Sequence, residues 1–215
     1  MFPLELDAIR EALRELCESD PNHEMFGAGG HKYELHPTMP IEEITRFEEK
    51  HEIKLPDDYR IFLTQLGNGG AGPYYGVFRL GERDEDFDHA PWEQGDGFVG
   101  ILADPFPHTQ AWNDLEGLPG EEIEEDDEAY DEAIEAFEEK YYAADRMNGA
   151  IPICHQGCAI RSWLVVSGEE KGHVWIDARA DHEGIFPDSD EGKPRLSFGE
   201  WYCQWIRESL AETRG

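Results

Sequence analysis

Apolar positions first recur at helical spacing. In MFPLELDAIREALRELCE, residues Leu6, Ile9, Leu13 and Leu16 fall on one face, which predicts an N-terminal amphipathic helix. The breaker cluster Ser19-Asp20-Pro21-Asn22 ends it. Residues 22–37 hold Gly27, Gly29, Gly30 and Pro37 and read as irregular. Pro40 opens a second helix whose apolar face is Ile41, Ile44 and Phe47. Pro56 marks a third start, where Asp57 and Asp58 complement the positive end of the helix dipole. Tyr59, Phe62, Leu63 and Leu66 follow as a core-facing stripe. Gly67 and Asn68 are placed to end that helix in the left-handed conformation. Tyr74 to Leu80 then reads as a strand.

The pattern changes after residue 80. Gly81 to Gly97 is acidic and irregular, with Pro91 and Trp92. Phe98 to Leu102 reads as a short strand. Residues 121–139 hold twelve acids and no Lys or Arg, yet Tyr130, Ile134, Phe137 and Tyr141 recur at helical spacing. An acidic helix from about Asp126 to Asp145 with one packing face is expected. The last third alternates as strands at Ile151–Cys154, Trp163–Ser167 and His173–Asp177, with Gly168 to Gly172 as a hairpin connection. Asp181 to Pro194 reads as a Gly/Pro/Asp-rich loop. Ser197 and Glu200 then fit a capping box for a closing helix carrying Phe198, Trp201, Tyr202, Trp205, Ile206 and Leu210. Helices early and late around a central strand group give an α+β class.

The chain has 215 residues, enough for one large domain, and 12% of them are aromatic. Its formal net charge is −31, from 49 Asp and Glu against 18 Lys and Arg. Such a surface repels phosphates and anionic membranes, so nucleic acid and membrane are not expected partners. A basic protein partner is favoured instead. No apolar run has the length of a membrane span. Glu5, Asp7 and Glu11 stand where a signal peptide needs positive charge. The four scattered cysteines suit a reducing compartment, so a cytoplasmic location is expected.

Several motifs invite chemistry. Gly67-Asn68-Gly69-Gly70-Ala71-Gly72 satisfies G-x-G-x-x-G, but it follows a helix and opens a strand, the reverse of a dinucleotide turn. Cys154-His155-Gln156-Gly157-Cys158 offers two thiols and an imidazole, with His173 as a further ligand if its strand pairs nearby. Three residues separate the cysteines where two are usual, and no second pair stands at matching distance. Packing at a strand end is the favoured reading, and no metal or other cofactor is expected. Asp84 to His89 begins like a calcium loop, but His89 stands where Gly is required and Gly95 where Glu is required. Both it and Asp188-Ser189-Asp190-Glu191-Gly192 read as solvated acidic loops. No nucleophile elbow or H-E-x-x-H motif occurs, and with 49 acids in the chain any one carboxylate pair is uninformative.

A family pattern emerges from Ile44-x-x-Phe47-Glu48, Leu55-Pro56-x-x-Tyr59-Arg60-x-Phe62-Leu63 and Asn68-Gly69-Gly70. It continues in Ile151-Pro152-Ile153, Gly157-Cys158, Trp163-Leu164-Val165-Val166, Gly168, Gly172-x-Val174-Trp175 and the helix from Ser197-Phe198. Over roughly residues 36–210 the chain resembles the SUKH superfamily, which includes a fungal cell-wall-synthesis regulator and many bacterial immunity proteins of polymorphic toxin systems. The resemblance implies a central mixed, largely antiparallel sheet flanked by helices. It places the SUKH-like domain at residues 36–215, after an N-terminal helix and irregular linker at 1–35. It also implies protein binding without catalysis.

Together with the charge, the resemblance leads to a cytoplasmic immunity protein that occludes a cognate toxin domain. Against a nuclease, an acidic face would stand in for phosphates. Twelve like charges over nineteen residues cost stability through repulsion, which favours a binding role for that helix. The expected contacts are Glu124, Glu125, Asp127, Glu128, Asp131 and Glu135, with Trp92 as an aromatic anchor. The alternative is a regulatory or scaffold protein that binds an endogenous partner without any toxin.

Overall fold

The computed structural model of the protein describes residues 5–80, 100–120 and 128–214. Four helices come first: α1 (Leu6–Ser19), α2 (Ala28–His31), α3 (Ile41–Lys50) and α4 (Asp57–Ile61), the last running on as a π-turn over Phe62–Leu66. The acidic helix is α5 (Glu128–Tyr141). Strands β1 (Ala150–Gly157), β2 (Ile160–Val165), β3 (Val174–Ala178) and β4 (Gly184–Pro187) follow, and α6 (Phe198–Arg214) closes the chain. The sheet is a meander of order β1-β2-β3-β4, antiparallel at each pairing. The α+β expectation holds, and the sheet expected to be mixed and largely antiparallel is antiparallel at every pairing among the described residues.

Periodicity explains the helical packing. Ile9, Leu13 and Leu16 of α1 are buried, and α1 packs against α6. Tyr59 and Phe62 meet Phe198 and Tyr202 of α6 in an aromatic cluster with ring centroids 4.7–5.1 Å apart for the closest pairs. Edge-to-face contacts of this kind add to the area they bury. One continuous core joins these residues to Ile151 and Ile153 of β1, Trp163 of β2 and Trp175 of β3. Trp163 and Trp175 are directly opposed in the β2–β3 register and fully buried. Helix α3 departs from its expected face: it buries Ile44 and Glu48 and leaves Ile41 exposed.

Helix α6 starts with the expected capping box. Glu200 N–H donates to Ser197 Oγ at 3.3 Å, and Ser197 N–H donates to the Glu200 carboxylate at 3.1 Å. A third acceptor comes from far along the chain. Asp58 Oδ2 accepts the buried Gly199 N–H at 2.9 Å, so α4 caps α6.

The segment read as a strand at Tyr74–Leu80 is not one. Tyr74 and Gly76 both have positive φ, which breaks an extended run. Only Val77 bridges, to Gly70 on one side and to Cys154 of β1 on the other. The chain reverses at Gly69 and Gly70 (φ +81° and +103°), whereas Gly67 is extended. A side chain at Gly70 would meet the Glu34 carbonyl oxygen at 2.4 Å, so the glycine run lets three backbones lie together. Residues 100–102 do not form the expected strand either. Asn148 Oδ1 takes the Ile101 N–H, and the Ile101 carbonyl closes a turn with Asp104. Conversely, the loop read at Asp181–Pro194 contains β4, a strand of four residues between Gly184 (φ +84°) and Pro187. Beyond β4, Trp112 exchanges both backbone hydrogen bonds with Ile185 at 2.8 Å.

Candidate functional site

Helix α5 docks through the four residues its spacing singles out. Phe137 and Tyr141 are buried, and Tyr130 and Ile134 are half-buried. Tyr141 stacks on Trp112 at 5.5 Å, and its hydroxyl donates to Asn113 Oδ1 at 2.7 Å. Arg179, ion-paired with Asp177 at 2.7 Å, donates to the Tyr141 carbonyl at the helix end. Lys140 reaches Asp114 at 3.1 Å. These contacts turn the opposite face outward. Asp131 and Glu135 are exposed and make no ion pair among the described residues. Of the other expected contacts, Glu128 lies in the first turn of α5, while Trp92, Glu124, Glu125 and Asp127 lie outside the described residues. So does the calcium-like stretch Asp84–His89.

The thiol–imidazole motif does not assemble. Cys154 is fully buried, its thiol donates to the Pro73 carbonyl at 3.1 Å, and burial pushes its pKa well up. Cys158 is exposed in the β1–β2 turn, with φ +49°. His173 pairs with Glu170 at 3.1 Å. Among the described residues, no three His, Cys, Asp or Glu side chains form a metal-binding group.

A second surface was not anticipated. A cleft of about 290 Å³ opens between the loop before α2 and helix α6. Met25 and Phe26 form one wall, Pro73 and Tyr74 the back, and Trp201, Gln204 and Trp205 the other wall. Asp188, Glu208, Ser209 and Glu212 complete it, and among the described residues lining it none is basic.

The loop is held by one carboxylate. Buried Asp20 accepts the N–H groups of Glu24 (2.8 Å) and Met25 (3.2 Å) and the Tyr33 hydroxyl (2.6 Å). That sets Phe26 against Tyr74 and Tyr75, with centroids 6.3 and 5.4 Å apart. These residues are 67%, 38% and 49% exposed, a contiguous aromatic patch in contact with solvent. Tyr74 holds φ +51°, a conformation costly for a residue with a side chain.

The electrostatics of the cleft are one-sided. Burial raises the Asp188 pKa to about 6, against the opposing Ser189 N–H, with Glu208 and Asp190 adding repulsion. The expected solvated loop at Asp188–Gly192 therefore begins with a shielded carboxylate. Gln204 donates to Glu208 at 2.9 Å. His31 lies edge-on to Trp205 at 5.9 Å, but burial and the nearby His23 lower its pKa to about 4, so it brings no positive charge at neutral pH.

These side chains come from residues 25–26, 73–74, 188 and 201–212, which the sequence keeps far apart. The available signals were Phe26 in a glycine-rich loop and the adjacent Tyr74-Tyr75 pair beside a glycine turn. Among the described residues no helix is long and apolar enough to cross a membrane.

Residues 39–195 match the sequence model of the SMI1 / KNR4 family (SUKH-1). No curated protein and no solved structure matches the chain.

Proposed function

Because the chain belongs to the SMI1 / KNR4 family (SUKH-1), we propose that it is a protein-binding module, an immunity protein that neutralises a basic toxin domain by covering its active site. The family is consistent with an immunity or regulatory module and is generally non-catalytic. The observation that carries the finer reading is the orientation of α5. Its aromatic face is spent on Trp112, Asn113 and Arg179, which leaves Asp131 and Glu135 free for a partner.

The chemistry follows from charge. A net −31 attracts a basic domain, and steering of this kind raises association to about 10⁸–10⁹ M⁻¹s⁻¹ at low salt. Carboxylates spaced along a helix match the demands of a groove built for phosphates, so a nuclease is the favoured toxin class. Glu124, Glu125, Asp127 and Glu128 extend the same charged run towards the N-terminal side, and Trp92 is the proposed anchor.

The test is capture of the tagged protein's partner from native lysate at low and high salt, read by mass spectrometry. The expected result is one stoichiometric basic protein carrying a toxin domain, bound more slowly as salt rises. Lysine at Glu125, Glu128, Asp131 and Glu135 should slow association strongly. Unchanged kinetics would remove α5 from the interface. An endogenous partner with no toxin domain would instead favour the regulatory reading.

A further inference from the structure

We propose that the cleft between Phe26 and Trp205 is a socket for an arginine side chain of a basic protein partner. The assignment rests on the reading of the chain as a protein-binding module and adds a second contact surface, distinct from α5. Three observations support it.

The first is size. About 290 Å³ lies at the lower limit of the ~300–1,000 Å³ usual for small-molecule sites, and one long side chain fits that space. The second is lining. Phe26, Tyr74 and Trp205 present ring surfaces, on which a planar guanidinium stacks well. The third is charge complementarity. Asp188, Glu208 and Glu212 ring the cleft with no basic residue among its described lining. Glu208 already accepts one hydrogen bond from Gln204, and a carboxylate has capacity for several more. Arginine matches this set better than lysine, because it offers a flat face to the rings and a fork of donors to the acids at once.

The protein tolerates an unfavourable arrangement here while the cleft is empty. Two of the aromatic residues that line it, Phe26 and Tyr74, face water, Tyr74 sits at positive φ, and a shielded carboxylate lies near Glu208. A bound guanidinium covers the rings and neutralises the acids together.

The probe is the peptide acetyl-Gly-Arg-Gly-amide, titrated into the ¹⁵N-labelled full chain and followed by NMR. Saturable shifts at the Trp205 indole and the Tyr74 amide are expected, with the isosteric citrulline peptide binding at least about fivefold more weakly. The exposed pair Glu208→Gln and Glu212→Gln should weaken arginine binding about fivefold or more, while Asp131→Asn with Glu135→Gln on α5 should leave it unchanged. Equal binding of citrulline, or indifference to E208Q/E212Q, would overturn the socket. Shifts confined to α5 would overturn it too, yet leave the proposed function standing. Saturable cleft shifts with no toxin partner captured would support the socket and count against the immunity role. Concentration-dependent dimerisation in sedimentation, abolished by Phe26→Ser, would overturn it by giving the cleft to a second copy.

Discussion

Gly27 lies against the backbone of Tyr74 so closely that a Cβ on Gly27 would sit 1.6 Å from the Tyr74 carbonyl oxygen. Gly27 also holds φ +81°, which disfavours any side chain. Two segments 47 positions apart are thereby locked at the back of the cleft. Gly27→Ala must separate them and should cost about 3 kcal/mol, seen as a lowered urea midpoint. The aromatic patch should open with it, so Trp205 fluorescence in the native state should change as well.

Asp58 supplies a long-range cap. Its carboxylate accepts the Gly199 N–H across 141 residues, in a buried setting. Asp58→Ala leaves that donor unpaired and should destabilise the chain by about 2 kcal/mol in urea unfolding. Ser197→Ala, on the exposed side of the same helix start, should cost about 1 kcal/mol. A larger effect from Ser197→Ala than from Asp58→Ala would contradict this account.

Asp20 and Glu48 set the acid limit of stability. Burial pushes both carboxyls up, but their partners outweigh it and hold both below their ordinary values of 3.8 and 4.5. For Asp20 the partners are the Tyr33 hydroxyl and the N–H groups of Glu24 and Met25. For Glu48 they are Arg60, Lys54 and the Leu55 N–H. A lowered folded value means the unfolded chain binds more protons in the interval between the two. The stabilisation is therefore complete above pH ~4.5 and lost as pH falls through the folded values. Asp20→Asn and Glu48→Gln should each cost about 2 kcal/mol at pH 7, and the deficit should shrink towards pH 2. A deficit independent of pH would point to packing instead.

Asp188 behaves in the opposite sense. Burial raises it to about 6, and the charged or titratable groups that act on it are Glu208 of α6, Asp190 of its own loop, Tyr74 of the cleft and the buried Cys154 of β1. A raised folded value gives stabilisation that is complete below 3.8 and lost as pH rises through 6. Ionised Asp188 thus destabilises the neutral-pH fold. Asp188→Asn should raise the melting temperature by a few degrees at pH 7.5 and leave it unchanged at pH 3.5. The same change should weaken arginine-peptide binding, and in the native protein that binding should strengthen from pH 5 to pH 7. A variant that gains both stability and binding would contradict a role for Asp188 in recognition.

Local chemistry made much of this fold readable. The spacing of Ile9, Leu13 and Leu16 predicted a buried helix face, and Ser197 with Glu200 predicted a cap that forms as expected. Strands β1 to β3 carried enough apolar residues to be found. Strand β4 did not, because Ile185 and Phe186 are its whole apolar content between a glycine and a proline. The glycine run misled in a different way. Val77 looked like the centre of a strand, but the positive φ values at Tyr74 and Gly76 leave only one bridging residue. The packing face of α5 was legible because Tyr130, Ile134, Phe137 and Tyr141 all lie on one helix. The cleft was not, since the capping of α6 by Asp58 and the Gly27–Tyr74 approach bring its walls together, and neither leaves a periodic trace.

The single bridges at Val77 and Trp112 have a further consequence. A sheet with free edges invites other chains to add strands, which serves some recognition domains and seeds aggregation in others. Here Val77, with Phe78 donating to the Ile153 carbonyl, occupies the outer side of β1. Trp112 occupies the outer side of β4, whose last residue, Pro187, has no N–H to offer. At these positions a foreign strand can pair with the sheet only once the guard is displaced, which blunts both edges.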